Sequence, residues 1–144
     1  MALKVELKPG ERIILGDCVI TNDNQRTRLF IEGDAPILRE KDILTPATAN
    51  TPAKRIYLAV QLMYLARDIS KLKEEYFSLV QDFVRAAPSS LPIIDAINNA
   101  ILTNALYKAL REAKALIEFE TGLVNHAKRR AGVRENSTEN SESS

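Results

Sequence analysis

Apolar and charged residues alternate at the start of the chain. Leu3, Val5 and Leu7 interleave with Lys4, Glu6 and Lys8, and side chains at i, i+2 and i+4 share one face of a strand. Pro9-Gly10 makes a turn, Arg12 to Leu15 resumes the strand pattern, Gly16-Asp17 breaks it, and Cys18 to Thr21 starts again. Asn22-Asp23-Asn24 supplies the next turn, with residues that tolerate left-handed backbone. In Arg26 to Glu32, Thr27, Leu29 and Ile31 point inward while Arg26, Arg28, Phe30 and Glu32 take the other face, and Gly33-Asp34 closes the strand. Four or five short antiparallel strands are expected from residue 3 to about residue 40.

The period changes near Thr45. Residues 45–51 are small, with Pro46 inside the segment and Pro52 just after it, and they follow neither a strand nor a helix pattern. Thr51 is placed to N-cap a helix whose first residue is Pro52, where a missing N–H costs nothing. That helix is apolar almost all round: Ile56, Val60 and Met63 lie on one side, Leu58, Leu62 and Leu65 on the other. It is therefore expected at the centre of the molecule, covered by its own chain or by a second copy in a homodimer. A second helix, about Ser70 to Ala86, is amphipathic through Leu72, Tyr76, Leu79, Val80 and Phe83. Pro88 and Ser89-Ser90 interrupt the pattern, with Ser90 as the next cap. A last long helix spans roughly Asn104 to Thr121 and is expected to stop at Gly122. After Val133 nothing apolar remains to pack, so the end should be disordered. The expected class is α+β: a small N-terminal antiparallel β lobe (1–45), a C-terminal helical bundle of about four helices (46–132), and a disordered acidic, Ser-rich tail (133–144).

Composition narrows the chemistry. One cysteine (Cys18) and one histidine (His126) in 144 residues leave no disulfide scaffold, no Cys/His zinc site and no paired-cysteine redox motif. No metal or other cofactor is expected. Cys18 reads as a small packed strand residue. His126 lies beyond Gly122 beside Lys128, Arg129 and Arg130, where nothing fixes it as a general base. Glu118 and Glu120 do not face each other on a helix and read as a solvated face. The five scattered glycines form no phosphate loop. No catalytic residues emerge, so an enzyme is not expected. The first residues lack the unbroken apolar run of a signal peptide, and the most apolar window, Ile56 to Ala66, falls short of the ~20 residues of a membrane span. A cytoplasmic protein with no membrane contact is expected.

Charge turns the reading toward binding. The 20 basic and 19 acidic side chains give a net charge of +1, so any surface for a polyanion must be local. Residues 46–132 hold 12 basic against 8 acidic groups, which makes the helical half moderately basic. Three surfaces stand out. Arg26, Arg28 and Phe30 alternate on the non-core face of the fourth strand, where guanidinium groups can grip phosphates and a ring can stack on an unpaired base; alternatively Phe30 packs under the first helix. On the last helix, Tyr107, Lys108, Arg111 and Lys114 fall on adjacent ground at about 100° per residue. Lys128, Arg129 and Arg130 form the densest cluster, a flexible one suited to salt-sensitive contacts. Lys54 and Arg55, at the start of the first helix, complete the candidate RNA contacts.

Several strings are more specific than these periods. Lys8-Pro9-Gly10-Glu11, Leu38-Arg39-Glu40-Lys41-Asp42-Ile43, Thr51-Pro52-Ala53-Lys54-Arg55-Ile56-Tyr57, and Tyr107-Lys108-Ala109-Leu110 followed by Leu116-Ile117-Glu118 resemble, in order and spacing, the FlbT family of alphaproteobacterial flagellar regulators, over about residues 2–121. The resemblance implies a post-transcriptional regulator that associates with the 5′ untranslated region of flagellin mRNA and promotes its degradation, with a positive effect on flagellin in some members. It also implies interplay with FlaF, a small flagellar protein of opposite effect. The alternative is a protein-binding or chaperone-like module that acts on flagellin or on FlaF. The family's strings assign no RNA contact residue by residue, so the candidates above rest on charge and face.

Overall fold

The structure is a computed structural model that describes residues 2–66 and 69–135, with side-chain surroundings as far as residue 131. Five strands come first: β1 (Ala2–Leu7), β2 (Arg12–Leu15), β3 (Cys18–Thr21), β4 (Thr27–Glu32) and β5 (Ile37–Arg39). A single 3₁₀ turn, Glu40–Asp42, leads out of them. Four α-helices follow: α1 (Pro52–Leu65), α2 (Ser70–Ala86), α3 (Leu91–Leu102) and α4 (Leu106–Glu135). This is the expected α+β class.

The strands form two small antiparallel sheets, β1-β4 and β3-β2-β5. Their inner faces meet in a core of Val5, Leu7 and Ile13, with Leu29, Ile31 and Ile37 packed on it. The inward side of β4 is the one its alternation predicted, since Leu29 and Ile31 are half-buried while Arg28, Phe30 and Glu32 are exposed. At the predicted Asn22 turn the Asn22 side chain adds to the backbone bonds from Asn22 N to Glu11 O and from Gly10 N to Asp23 O, each 2.9 Å. Asn22 Nδ2 donates to the carbonyls of Leu7, Lys8 and Gln25 at 3.2, 2.8 and 2.8 Å, and its Oδ1 accepts from Thr27 Oγ1 at 2.8 Å. In the strand lobe, left-handed backbone occurs at glycines instead, notably Gly16 (φ 64°) between β2 and β3. Cys18, expected to be packed, is exposed at the start of β3.

α1 begins where the cap predicts: Thr51 Oγ1 accepts from Lys54 N at 3.2 Å. Tertiary structure adds a second acceptor, Glu120 Oε2 on α4, which takes the Ala53 N–H at 2.9 Å. Glu120 is thus a capping residue and not the solvated carboxylate its sequence neighbourhood suggests. Ile56, Val60 and Met63 are fully buried in the main core, where α1 meets α2 and α4. The opposite side is less covered than its apolarity implies: Leu58 and Leu65 are half-buried and Leu62 remains 42% exposed.

Two further helix ends differ from expectation. Ser90 is buried and its hydroxyl donates backward to Ala87 O at 2.6 Å, so it does not cap α3 through its side chain. α4 starts at Leu106, not Asn104, because Asn104 sits at φ 59°. Ala105 N reaches Ala100 O (2.7 Å) and Asn104 N reaches Ile101 O (3.0 Å), the paired bonds that close a helix around a left-handed residue. At its far end α4 runs straight through Gly122 to Glu135. The backbone of the first residues of the expected tail therefore belongs to this helix, and the rest of that segment lies outside the described residues.

Candidate functional site

The strand and helix lobes meet along α1 through three buried or half-buried polar side chains. Gln61, 4% exposed, pairs with Leu44 through both backbone groups, accepting from N and donating to O at 2.9 Å each. Tyr64 Oη accepts from Ile37 N (3.0 Å) and donates to Ile37 O (3.2 Å). Tyr57 Oη donates to Asp42 O at 2.6 Å. Burial, then the Asp42 charge and Tyr107, push the Tyr57 phenol above its ordinary value, so it remains a donor. From α4, Lys114 Nζ reaches Asp42 Oδ1 at 3.0 Å. The 3₁₀ turn is thereby clamped at Asp42 from both helices.

Lys41 is carried by that clamped turn. It stands at the mouth of a cleft of about 320 Å³ whose walls include Leu38, Tyr57, Tyr107, Arg111 and Lys114. A neighbouring cleft towards β1 brings in Lys4 and Tyr64, and another towards the start of α1 brings in Lys54. Asp42 is matched to Lys114, whereas among the described residues no carboxylate pairs with Lys4, Lys41, Lys54 or Arg111. Tyr107 is 52% exposed, and its ring is propped on Tyr64 with centroids 5.7 Å apart. Fixed cations beside an open ring face can bind a phosphate and stack a planar base at once.

The candidate residues separate into three places. Tyr107, Arg111, Lys114 and Lys54 line the junction. Lys114 is spent on Asp42, and Lys108 and Arg55 are exposed but lie outside the lining of those clefts. Arg28 and Phe30 lie on the outer face of the β1-β4 sheet. Phe30 does not pack under α1: it is 68% exposed, opposite Lys4 in the register. Arg26 precedes β4, and Arg28 pairs with its cross-strand neighbour Glu6 at 3.3 Å. Lys128, Arg129 and Arg130 are exposed on a helix and not on a flexible end. They lie about 25 Å along α4 from Arg111 at 1.5 Å per residue.

Sequence reasoning missed Lys41, Lys4, Tyr57 and Tyr64. Lys41 looked like one charge in a mixed run, and only the turn that presents it sets it apart. A signal did exist, because Lys41 sits inside one of the strings that carry the family resemblance. Those strings, scattered along the chain, come together here. Lys8-Pro9-Gly10-Glu11 and Arg39-Glu40-Lys41 line a shared hollow, while Lys41-Asp42, Tyr57 and Tyr107 share the cleft beside it. Among the described residues no cluster of acidic, histidine or cysteine side chains could hold a metal ion, and no helix is long and apolar enough to cross a membrane.

Comparison with known proteins gives a consistent result. The family model described as "Flagellar protein FlbT" matches residues 3–124. The chain is similar to a probable flagellum biosynthesis repressor protein FlbT 1 of Bradyrhizobium diazoefficiens, 63% identical over 124 residues, covering 85% of each chain. It is 54% identical over 125 residues to the Rhodopseudomonas palustris protein of the corresponding name, covering 87% of this chain and 99% of that one. It is 36% identical over 129 residues to the flagellum biosynthesis repressor protein FlbT of Caulobacter vibrioides, covering 88% and 92%. No solved structure matches.

Proposed function

The chain belongs to the FlbT family of flagellar proteins, and from that premise we propose that it represses flagellum biogenesis by binding the 5′ untranslated region of flagellin mRNA in the cytoplasm and promoting degradation of the message. The names of its relatives support the regulatory role in flagellum biosynthesis. The RNA step rests chiefly on the lobe junction, where among the described residues Lys41, Lys54 and Arg111 have no carboxylate partner and where Lys41 and Arg111 share a cleft with the exposed ring of Tyr107. The regulator needs no reaction of its own. Occupying a leader can hide or expose a ribosome site, or present the message to a nuclease, through binding energy alone.

Fluorescence anisotropy with labelled leader RNA tests this reading. Affinity is expected to fall with salt, with a log–log slope of about −0.7 for each phosphate neutralised on a single strand. Affinity that is flat from low to moderate salt would count against it. A second reading, a module that docks a protein such as flagellin or FlaF, draws on apolar side chains left open on helices: Leu62 on α1, and Leu123 and Val124 on the distal part of α4. Co-purification from cells, followed by RNA sequencing and protein identification, separates the two. Flagellin recovered without its leader favours the second.

A further inference from the structure

The junction is a groove and not a single hollow. Its side chains divide it into three adjoining compartments: about 440 Å³ beside Lys4, Tyr64 and Tyr107, about 320 Å³ between Tyr107 and Arg111, and about 220 Å³ beside Lys54. Lys41 and Asp42 border all three. Two compartments lie at the lower end of the small-ligand range of ~300–1,000 Å³ and the third below it, a scale that suits single nucleotides in sequence and not the body of a duplex. The cations recur along the groove, Lys4 at one end, Lys41 and Arg111 in the middle and Lys54 at the other. Two acidic side chains also line the groove, Asp42, which Lys114 matches at 3.0 Å, and Glu118 on α4, and the cations outnumber them. Beyond the Lys4 end lies Phe30, its cross-strand neighbour, with an open ring.

We propose that this groove seats about three consecutive unpaired nucleotides of an RNA strand, with one base stacked on Tyr107 and the flanking phosphates held by Lys41 and Arg111. The inference rests on the RNA-binding reading above and adds to it the bound form of the RNA and the place where it lies. Unpaired nucleotides are required for a physical reason: in an A-form helix the base faces are stacked on one another and unavailable to Tyr107. Asp42 acts as a positioning residue. Held by Tyr57 and Lys114, it fixes the backbone turn that carries Lys41, so that backbone is in place before the strand arrives.

The test uses the full chain with a short oligouridylate, the same strand annealed to oligoadenylate, and an oligoglutamate peptide. The single strand should bind and the duplex should bind more weakly. Tyr107→Ala should weaken single-strand binding roughly tenfold, while Tyr107→Phe, which keeps the ring, should not. Lys41→Ala should reduce the magnitude of the log–log salt slope by about 0.7. Lys41 is exposed and has no carboxylate partner among the described residues, so this variant decides the matter even where Tyr107→Ala fails to fold. If both variants bind like the parent while replacement of Lys128, Arg129 and Arg130 by alanine abolishes binding, the groove assignment falls and RNA binding stands. If oligoglutamate displaces the strand at lower concentration than competing oligouridylate does, the groove is a protein site. If the parent binds no RNA, both readings fall.

Discussion

Gln61 joins the two lobes through two backbone groups at once, which is why so polar a residue is tolerated at 4% exposure in the middle of α1. Gln61→Ala leaves the half-buried Leu44 N–H and C=O without the amide that pairs them and opens a small void at a buried position. A loss of about 2–4 kcal/mol is expected in urea denaturation, and a loss under about 0.5 kcal/mol would mean water replaces the amide without cost. Glu11 gives a prediction in pH. The Lys8 N–H bond at 2.8 Å, joined by the charge of Arg39, holds its carboxyl below the ordinary 4.5. A carboxyl lowered in the folded state contributes stability that is present above pH 4.5 and lost as pH falls through the lowered value. Stability measured from pH 7 downward should therefore decline more steeply below pH 4.5 in the parent than in Glu11→Gln. Equal slopes would show that the turn does not depend on the ionised carboxylate.

Among the elements, α4 departs furthest from its sequence pattern. Its buried residues are Ala109, Leu110, Ala113 and Leu116, and the helix continues past Gly122 with every residue from 121 to 131 exposed. Glycine weakens a helix but does not end one unless the chain turns left-handed there. An added Cβ at Gly122 would meet nothing within 4 Å. Gly122→Ala is accordingly expected to raise stability by about 0.5–1 kcal/mol, read as an increase in the thermal midpoint and in helical circular dichroism. A decrease would mean that the helix stops at this position in solution. Asn104, which carries the left-handed turn before α4, gave no such signal, because its role depends on the bonds from Asn104 N and Ala105 N back to α3.

For the molecule as a whole, two hydrophobic clusters do not amount to two folding units. Leu38 of β5 is buried in the helical core, and Ile14, Ile43 and Leu44 pack on that core. Tyr57, Gln61 and Tyr64 of α1 supply the polar ties to the strand side. Strands this short cannot cover their apolar faces alone. Heat or urea should therefore unfold both lobes in one transition, with near- and far-ultraviolet circular dichroism superimposing. Separate midpoints would show that the lobes fold independently.

Local pattern by itself determined the α+β class, the short strands, the start of α1 and the span of α2. These follow from local rules: alternation in a strand, the 3.6-residue helical repeat, and a Thr-Pro cap. The inward face of β4 was legible for the same reason, and the exposure of Phe30 was one of two readings that sequence left open. What the tertiary structure alone decided is which charges remain free. Lys114, Arg28 and Lys41 look alike along the chain, but Lys114 meets Asp42 and Arg28 meets Glu6, whereas Lys41 has no carboxylate partner among the described residues at the lobe junction. Neutralisation of a charge depends on contacts across distant segments, 72 residues apart for Lys114 and Asp42, and no local pattern encodes such a contact.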